Sequence, residues 1–201
     1  MYLALGGMIL HIQGIILAGG KSSRMGTNKA LLSIHNKKVI EHIIEEMQEI
    51  TEDIIIIANE PEHYNAYNYP IYTDRYKQKG PLAGLETALY HMQGEVAVIS
   101  PCDTPFIHHS VYEELLEDMN DFDAVVPSYE GQIHPLSGIY RKSVHSSVEH
   151  SIQNNQLRMT SFFDNIHMHL KEDFSAIDPS IAKKHFFNMN TIEEFNQAKE
   201  L

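Results

Sequence analysis

Short β-branched runs alternate along this chain with longer stretches in which apolar residues recur at helical spacing. The runs over 14–18, 54–58, 71–73, 95–100 and 124–127 read as strands, and the stretches over 38–50, 82–93 and 110–119 as helices. In the first helix Ile40, Ile43, Ile44 and Met47 make one apolar stripe at i, i+3, i+4, i+7. This alternation predicts an α/β fold with a mostly parallel, twisted sheet flanked by helices. After Val126 the rhythm changes: Tyr129-Glu130-Gly131-Gln132 has the form of a tight turn, which predicts an antiparallel return strand over 137–140. A helix over 142–153, a short one near 157–163 and a last one over 191–201 follow, the last opened by a capping box of Thr191 and Glu194. No repeat, low-complexity tract or linker interrupts residues 12–201, which are expected to form one domain. The apolar stretch 1–11 has no basic head and reads as a leader outside the fold, with Met8 as an alternative start.

Composition narrows this picture. A chain of 201 residues at 43% hydrophobic can bury a core without metal or disulfide staples. The lone Cys102 excludes an internal disulfide, and a reducing cytoplasm is expected. The longest apolar runs, 54–58 and 96–99, fall far short of the roughly 20 residues of a membrane span. A formal net charge of −12 argues against a nucleic-acid partner, which calls for a basic face. An acidic protein can still hold phosphates where a few cations and backbone N–H groups converge.

Such a convergence follows the first strand. Leu17-Ala18-Gly19-Gly20 ends an apolar run in two glycines, and a polar loop with Lys21, Arg24, Gly26 and Lys29 comes next. Glycines let backbone N–H groups approach an anion closely, and the cations can neutralise a polyphosphate. In parallel sheets such sites lie at strand carboxyl ends. A Walker A loop is excluded because Ile15 stands where its first glycine is required ahead of Gly20-Lys21-Ser22, and no Gly-x-Gly-x-x-Gly is present. Further on, Val96-Ala-Val-Ile-Ser-Pro-Cys-Asp-Thr-Pro105 is a buried strand that breaks at proline with Asp103 just past its end. Mg²⁺ prefers one or two carboxylates with phosphate oxygens and waters, which makes Asp103 the candidate metal ligand; its competing role is a helix N-cap. Cys102 lacks a His/Asn arrangement and reads as a packing residue. Gly80-Pro81-Leu82-Ala83-Gly84 stands where an extended run enters a helix, with proline suited to the first helical position.

Leu17-Ala18-Gly19-Gly20-x3-Arg24-Met25-Gly26-x2-Lys29-x-Leu31-Leu32 resembles the signature of nucleotidyltransferases that act on the molybdenum cofactor and on sugar nucleotides. Together with Gly80-Pro81-Leu82-Ala83-Gly84 and Pro101-Cys-Asp-Thr-Pro105, it is most similar to the MobA-like molybdenum cofactor guanylyltransferases. The resemblance runs from about residue 14 to the last residue. It implies a single-domain, Rossmann-like fold of the nucleotide-diphospho-sugar transferase kind, with a nucleotide half over about 12–105 and an acceptor half over about 106–201. It further implies that the Leu17–Gly20 turn wraps the triphosphate of GTP, that Arg24 and Lys29 stabilise the departing pyrophosphate, and that Asp103 holds Mg²⁺. Asn59, Asp74 and the Pro81–Gly84 block then contact the guanine nucleotide, although Asn59 also suits a turn or cap.

In the second half Asn188 and Asn190 match the family's Asn-x-Asn-Thr, where amides supply donors and acceptors to a pterin. Turn residues ahead of a capped helix are the plainer reading of the same stretch. Arg158 and His134 align by order with residues near the acceptor, molybdopterin. The implied reaction transfers GMP from GTP to the molybdopterin phosphate, with an anionic nucleophile and so no strong general base. A molybdenum enzyme or an adaptor receiving the cofactor is a further implied partner. The alternatives are a transferase of the same fold using CTP or a sugar-1-phosphate, and a non-catalytic carrier of nucleotide or molybdopterin. The thirteen histidines show no ligand spacing with Cys or Glu, and most are expected to be solvated.

Overall fold

The computed structural model describes residues 2–5, 8–19 and 28–201, with side chains from Ile9 onward. Arg24 and Gly20 lie outside the described residues. The central sheet runs β11-β8-β10-β7-β2-β5-β6. Its strands are β2 (Met8–Leu17), β5 (Ile54–Ile57), β6 (Ile71–Tyr72), β7 (Val96–Pro101), β8 (Ala124–Tyr129), β10 (Ile139–Arg141) and β11 (Met168–Lys171). All neighbours are parallel except β10, which is antiparallel to both β7 and β8. β5 and β7 are buried at every position, as expected of parallel strands covered on both faces.

Helices α1 (Val39–Ile50), α3 (His109–Glu117), α5 (Pro179–His185) and α6 (Ile192–Ala198) contribute to the core on one face. Helices α2 (Pro81–His91) and α4 (His145–Gln153) cover the other. The α1 stripe read from the sequence is buried as a unit, with Ile40, Ile43 and Met47 wholly inaccessible. Among the described residues no helix is long and apolar enough to cross a membrane.

Several elements differ from the sequence reading. β2 starts at Met8 rather than 14, because its polar residues are accommodated: buried Gln13 donates to Asp53 Oδ1 (2.7 Å) and accepts from Gln93 N (2.8 Å). The stretch read as a leader contains β1 (Tyr2–Leu5), which pairs antiparallel with the start of β2. A two-residue hairpin, β3 (Ser33–Ile34) with β4 (Lys37–Lys38), precedes α1. The turn at Glu130-Gly131 does form, closing β8 onto β9 (Gln132–Ile133). The return strand begins two residues later than expected because Pro135–Ser137 takes a 3-10 turn. The helix over 142–153 is divided into a 3-10 turn, Lys142–Val144, and α4. No α-helix forms near 157–163; that stretch is made of turns ending in the 3-10 turn Phe163–Asn165.

Candidate active site

Three strand ends meet where the sequence placed its phosphate turn. Leu17 is in register with Ile57 of β5 on one side and Pro101 of β7 on the other. Beyond the ladder, Ala18 N donates to Ile57 O (2.9 Å) and Cys102 N donates to Leu17 O (3.1 Å). The stretches 17–19, 58–59 and 101–103 therefore lie side by side at the carboxyl edge, the usual ligand edge of such sheets.

The base-side residues form one group. Asn59 Nδ2 donates to Asp74 Oδ2 (2.8 Å), and Asp74 N donates to Asn59 Oδ1 (3.2 Å). A side chain added at Gly19 would come within 3.6 Å of Asn59 Nδ2, and one at Gly84 within 3.7 Å of Leu17 and 3.8 Å of Asp74 Oδ1. Leu17, Gly19, Asn59, Asp74 and Gly84 are thus neighbours, with the glycines leaving room above a polar pair. Burial pushes the Asp74 carboxyl up, partly offset by the Asn59 bond. Gly80 holds φ +70° ahead of Pro81, a backbone that only glycine adopts readily, and so turns the chain into α2. Leu82 and Ala83 point into the core, so their contribution to any ligand is through the backbone.

The charged residues form a second group beside the first. Lys29 Nζ donates to Asn190 Oδ1 (2.6 Å), and Met189 N donates to Asp103 O (2.7 Å). Glu194 fixes this returning segment, its Oε2 accepting from Asn190 N (2.6 Å) and Thr191 N (2.8 Å) within the capping box. Burial raises the Asp103 carboxyl; the Lys29 cation lowers it and Glu194 raises it further. The helix N-cap role is not taken by Asp103, since α3 is capped by His108, which accepts from Ser110 N. Glu194 joins the site beyond what its capping box announces, because it also tethers Asn190 beside Lys29.

The acceptor-side residues are more dispersed. Asn190 reaches the nucleotide half through Lys29, while Asn188 makes a local 3.5 Å contact to Phe186 O. His134 is buried against Phe186, ring centroids 4.8 Å apart, and burial lowers its pKa. Arg158 is exposed in the turn after α4, and the structure does not bring it together with Lys29, Asn190 or Asp103. Cys102 is buried and its thiol pushed up by that burial, in keeping with a packing role.

The reading of the histidines needs correction. Most are at least partly buried, and two groups do combine His with Glu: Glu46 with His108 and His109, and Glu86 with His145 and Glu149. Each group is assembled from helices distant in sequence, α1 against α3 and α2 against α4, which residue spacing does not reveal. In the second group Arg75 forms an ion pair with Glu86 and lies 3.9 Å from Glu149. His185 is wholly buried, and its Nδ1 accepts from His108 N (3.0 Å), so the neutral ring carries its proton on Nε2. Burial, with His134 and His108 nearby, pushes its pKa down to about 3. The unfolded chain therefore takes up a proton here near pH 6.5 that the native chain refuses until about pH 3. Stability from this group is complete above pH 6.5 and is lost as the pH falls toward 3. Urea midpoints measured from pH 7 to pH 4 should fall less steeply for His185→Leu than for wild type; parallel curves contradict this.

A profile of the MobA-like NTP transferase domain matches residues 14–167. The chain belongs to this family. Among MobA-like relatives, a probable molybdenum cofactor guanylyltransferase of Carboxydothermus hydrogenoformans is 37% identical over 183 residues, 90% of this chain and 92% of the relative. A protein of the same description from Clostridium perfringens is 36% identical over the same shares. The molybdopterin-guanine dinucleotide biosynthesis protein A of Archaeoglobus fulgidus superposes with a TM-score of 0.81 at 22% identity, covering 94% of this chain and 97% of that one. A 4-diphosphocytidyl-2C-methyl-D-erythritol synthase of Anaerococcus prevotii gives 0.69 at 14%, over 94% and 95%. These place the MobA-like chain in the nucleotide-diphospho-sugar transferase fold, and its family membership makes it an enzyme, a nucleotidyltransferase.

Proposed function

We propose that this enzyme transfers GMP from GTP to the terminal phosphate of molybdopterin, releasing pyrophosphate. The observation that carries the reading is the meeting of Lys29, Asn190 and Asp103 at the carboxyl ends of β2 and β7, beside the Asn59–Asp74 pair. The Asp74 carboxylate can accept from the N1 and N2 hydrogens of guanine, and Asn59 holds it in place. Lys29 and the backbone of the Gly19 turn hold the triphosphate, with Arg24 assigned beside them from the sequence. An oxygen of the molybdopterin phosphate bonds to the α-phosphorus as the bond to the pyrophosphate oxygen breaks. The residues act by positioning and charge stabilisation, since the attacking oxygen is already anionic.

Asp103 fits Mg²⁺ as a hard oxygen donor whose burial raises its pKa, the condition of a carboxylate with charge still to be compensated. Neither His-containing group includes Asp103, and their nitrogen ligands suit softer metals. Bound there, Mg²⁺ would neutralise charge developing on the phosphates. Asn188, Asn190, His134 and Arg158 are assigned to the acceptor side, and a molybdenum enzyme or an adaptor to later handover in the cytoplasm.

Product analysis with GTP and CTP in competition, with and without molybdopterin and Mg²⁺, tests the proposal. Pyrophosphate release is expected only with GTP, molybdopterin and Mg²⁺ together. Preference for CTP, or binding with no turnover, would replace it with the cytidylyl-transfer or carrier reading.

A further inference from the structure

Ala18, just past the end of β2, and Asn28, the cap of the turn that carries Lys29, both bond to one oxygen atom. Tyr64 Oη donates to Ala18 O (3.1 Å) and accepts from Asn28 Nδ2 (2.8 Å). Asn28 Oδ1 in turn accepts from Ala30 N (3.1 Å) and caps the 3-10 turn that begins at Lys29. One hydroxyl thus uses its donor on one end and an acceptor lone pair on the other.

The tyrosine is itself held firmly. It is wholly inaccessible and joins two consecutive 3-10 turns, Pro61–His63 and Asn65–Tyr67. Tyr64 N donates to Pro61 O (2.9 Å), and Tyr67 N donates to Tyr64 O (3.0 Å). Burial pushes its phenol up, so the hydroxyl keeps its proton at neutral pH. It stands five positions beyond Asn59, so the stretch that supplies the base contact also supplies this bond.

We propose that Tyr64 is the clasp of the phosphate loop, a positioning residue whose hydroxyl fixes Ala18 against Asn28 and thereby places Lys29. The inference rests on the transferase reading for what the loop binds, but not for the clasp itself. With Ala18 and Asn28 held beforehand, the neighbouring Gly19 and Lys29 need less ordering when an anion binds, so the gain appears in affinity for the phosphates and not for the base.

The test is Tyr64→Phe, which keeps the buried ring and removes only the oxygen. Calorimetric titration in Mg²⁺ should show GTP and pyrophosphate binding weakened about tenfold, with guanosine binding changed by less than about twofold. Asn28→Ala, which cuts the same bridge and also the cap on Ala30 N, should weaken the phosphates at least as much, and the double variant should be scarcely worse than Asn28→Ala alone. In the ligand-free protein, amide hydrogen exchange over residues 18–30 should quicken in Tyr64→Phe while exchange in α2 stays as it is. Equal losses for GTP and guanosine, unchanged affinities, or unchanged exchange over 18–30 would each overturn the clasp. If wild type binds no GTP, the transferase reading falls, and faster exchange over 18–30 still upholds the clasp.

Discussion

Replacing Asp103 with alanine is expected to lower turnover by about a thousandfold or more while leaving the fold intact. The loss is large under the proposed reaction because the carboxylate stands beside Lys29 at the junction of β2 and β7, the place assigned to the transferred phosphate. The fold should tolerate the change because the native side chain is a cost to it: burial raises the carboxyl, and Lys29 only partly compensates. The structural bond at this position, from Met189 N, is made to the backbone carbonyl of Asp103 and survives the substitution. Asp103→Ala should therefore melt at or slightly above the wild-type temperature, the usual relation between a strained functional group and stability. Activity assayed as pyrophosphate release, alongside a thermal melt, decides the matter. Near-wild-type turnover removes the metal assignment, and a collapsed melting temperature removes the claim that the residue serves function alone.

Arg75→Met is expected to be the most destabilising single change among the charged residues near the site, by about 3 kcal/mol. Glu86 is 0% exposed and its carboxylate is held by the Arg75 guanidinium and by His145 Nε2 (2.8 Å). The Arg75 backbone N–H donates to Thr87 Oγ1 (2.9 Å), and its guanidinium carbon lies 3.4 Å from the centroid of the Tyr90 ring. Methionine keeps much of the stem and strands a buried negative charge. Arg75 is itself 30% exposed, so water can reach part of the vacated space and the cost stays near the low end for a broken buried pair. For a chain of this size the loss corresponds to roughly 6–12 °C in melting temperature. Adding Glu86→Leu to Arg75→Met should recover much of it, because the stranded charge is then gone. Urea denaturation at pH 7 measures both variants; a loss below about 1 kcal/mol for Arg75→Met would show that the pair is not electrostatically closed.

The fold was legible where hydrophobicity alone governs. Ile54–Ile57 and Val96–Pro101 are buried on both faces, and α1 buries one clean stripe. The misses lie where the apolar pattern is weak or short. β11 reads as polar because it is only half-buried at each position, its Lys171 pairing with Asp118 (2.9 Å) of the segment after α3. α5 is too short for its period to register, and it is set by Asp178 capping Ser180 N (2.8 Å) ahead of Pro179. The stretch 157–163 has the composition of a helix, but its aromatic residues pack under α2 and α4 as turns.

The candidate site divides in the same way. The Gly19 turn, Asp103 and the Pro81–Gly84 block sit in stretches whose local pattern announces them, and the structure brings them to one edge. Asn190 was legible as a polar residue before a capped helix, whereas its bond to Lys29 spans 161 positions and has no local trace. Tyr64 left no sign at all, since a lone tyrosine in a polar stretch acquires meaning only once Ala18 and Asn28 are seen to converge on it.

The bond between Lys29 and Asn190 also ties the candidate site to both ends of the chain. Lys29 comes from the early part of the chain, and the amide that accepts from it lies beyond the last strand, in the segment that also bonds to Asp103 O. Removing the segment from residue 188 onward is expected to leave Lys29 Nζ without its anchor while the two buried clusters keep most of their members. The candidate site is thus closed by residues that lie 161 positions apart, and its cation depends on a segment that the sheet itself does not need.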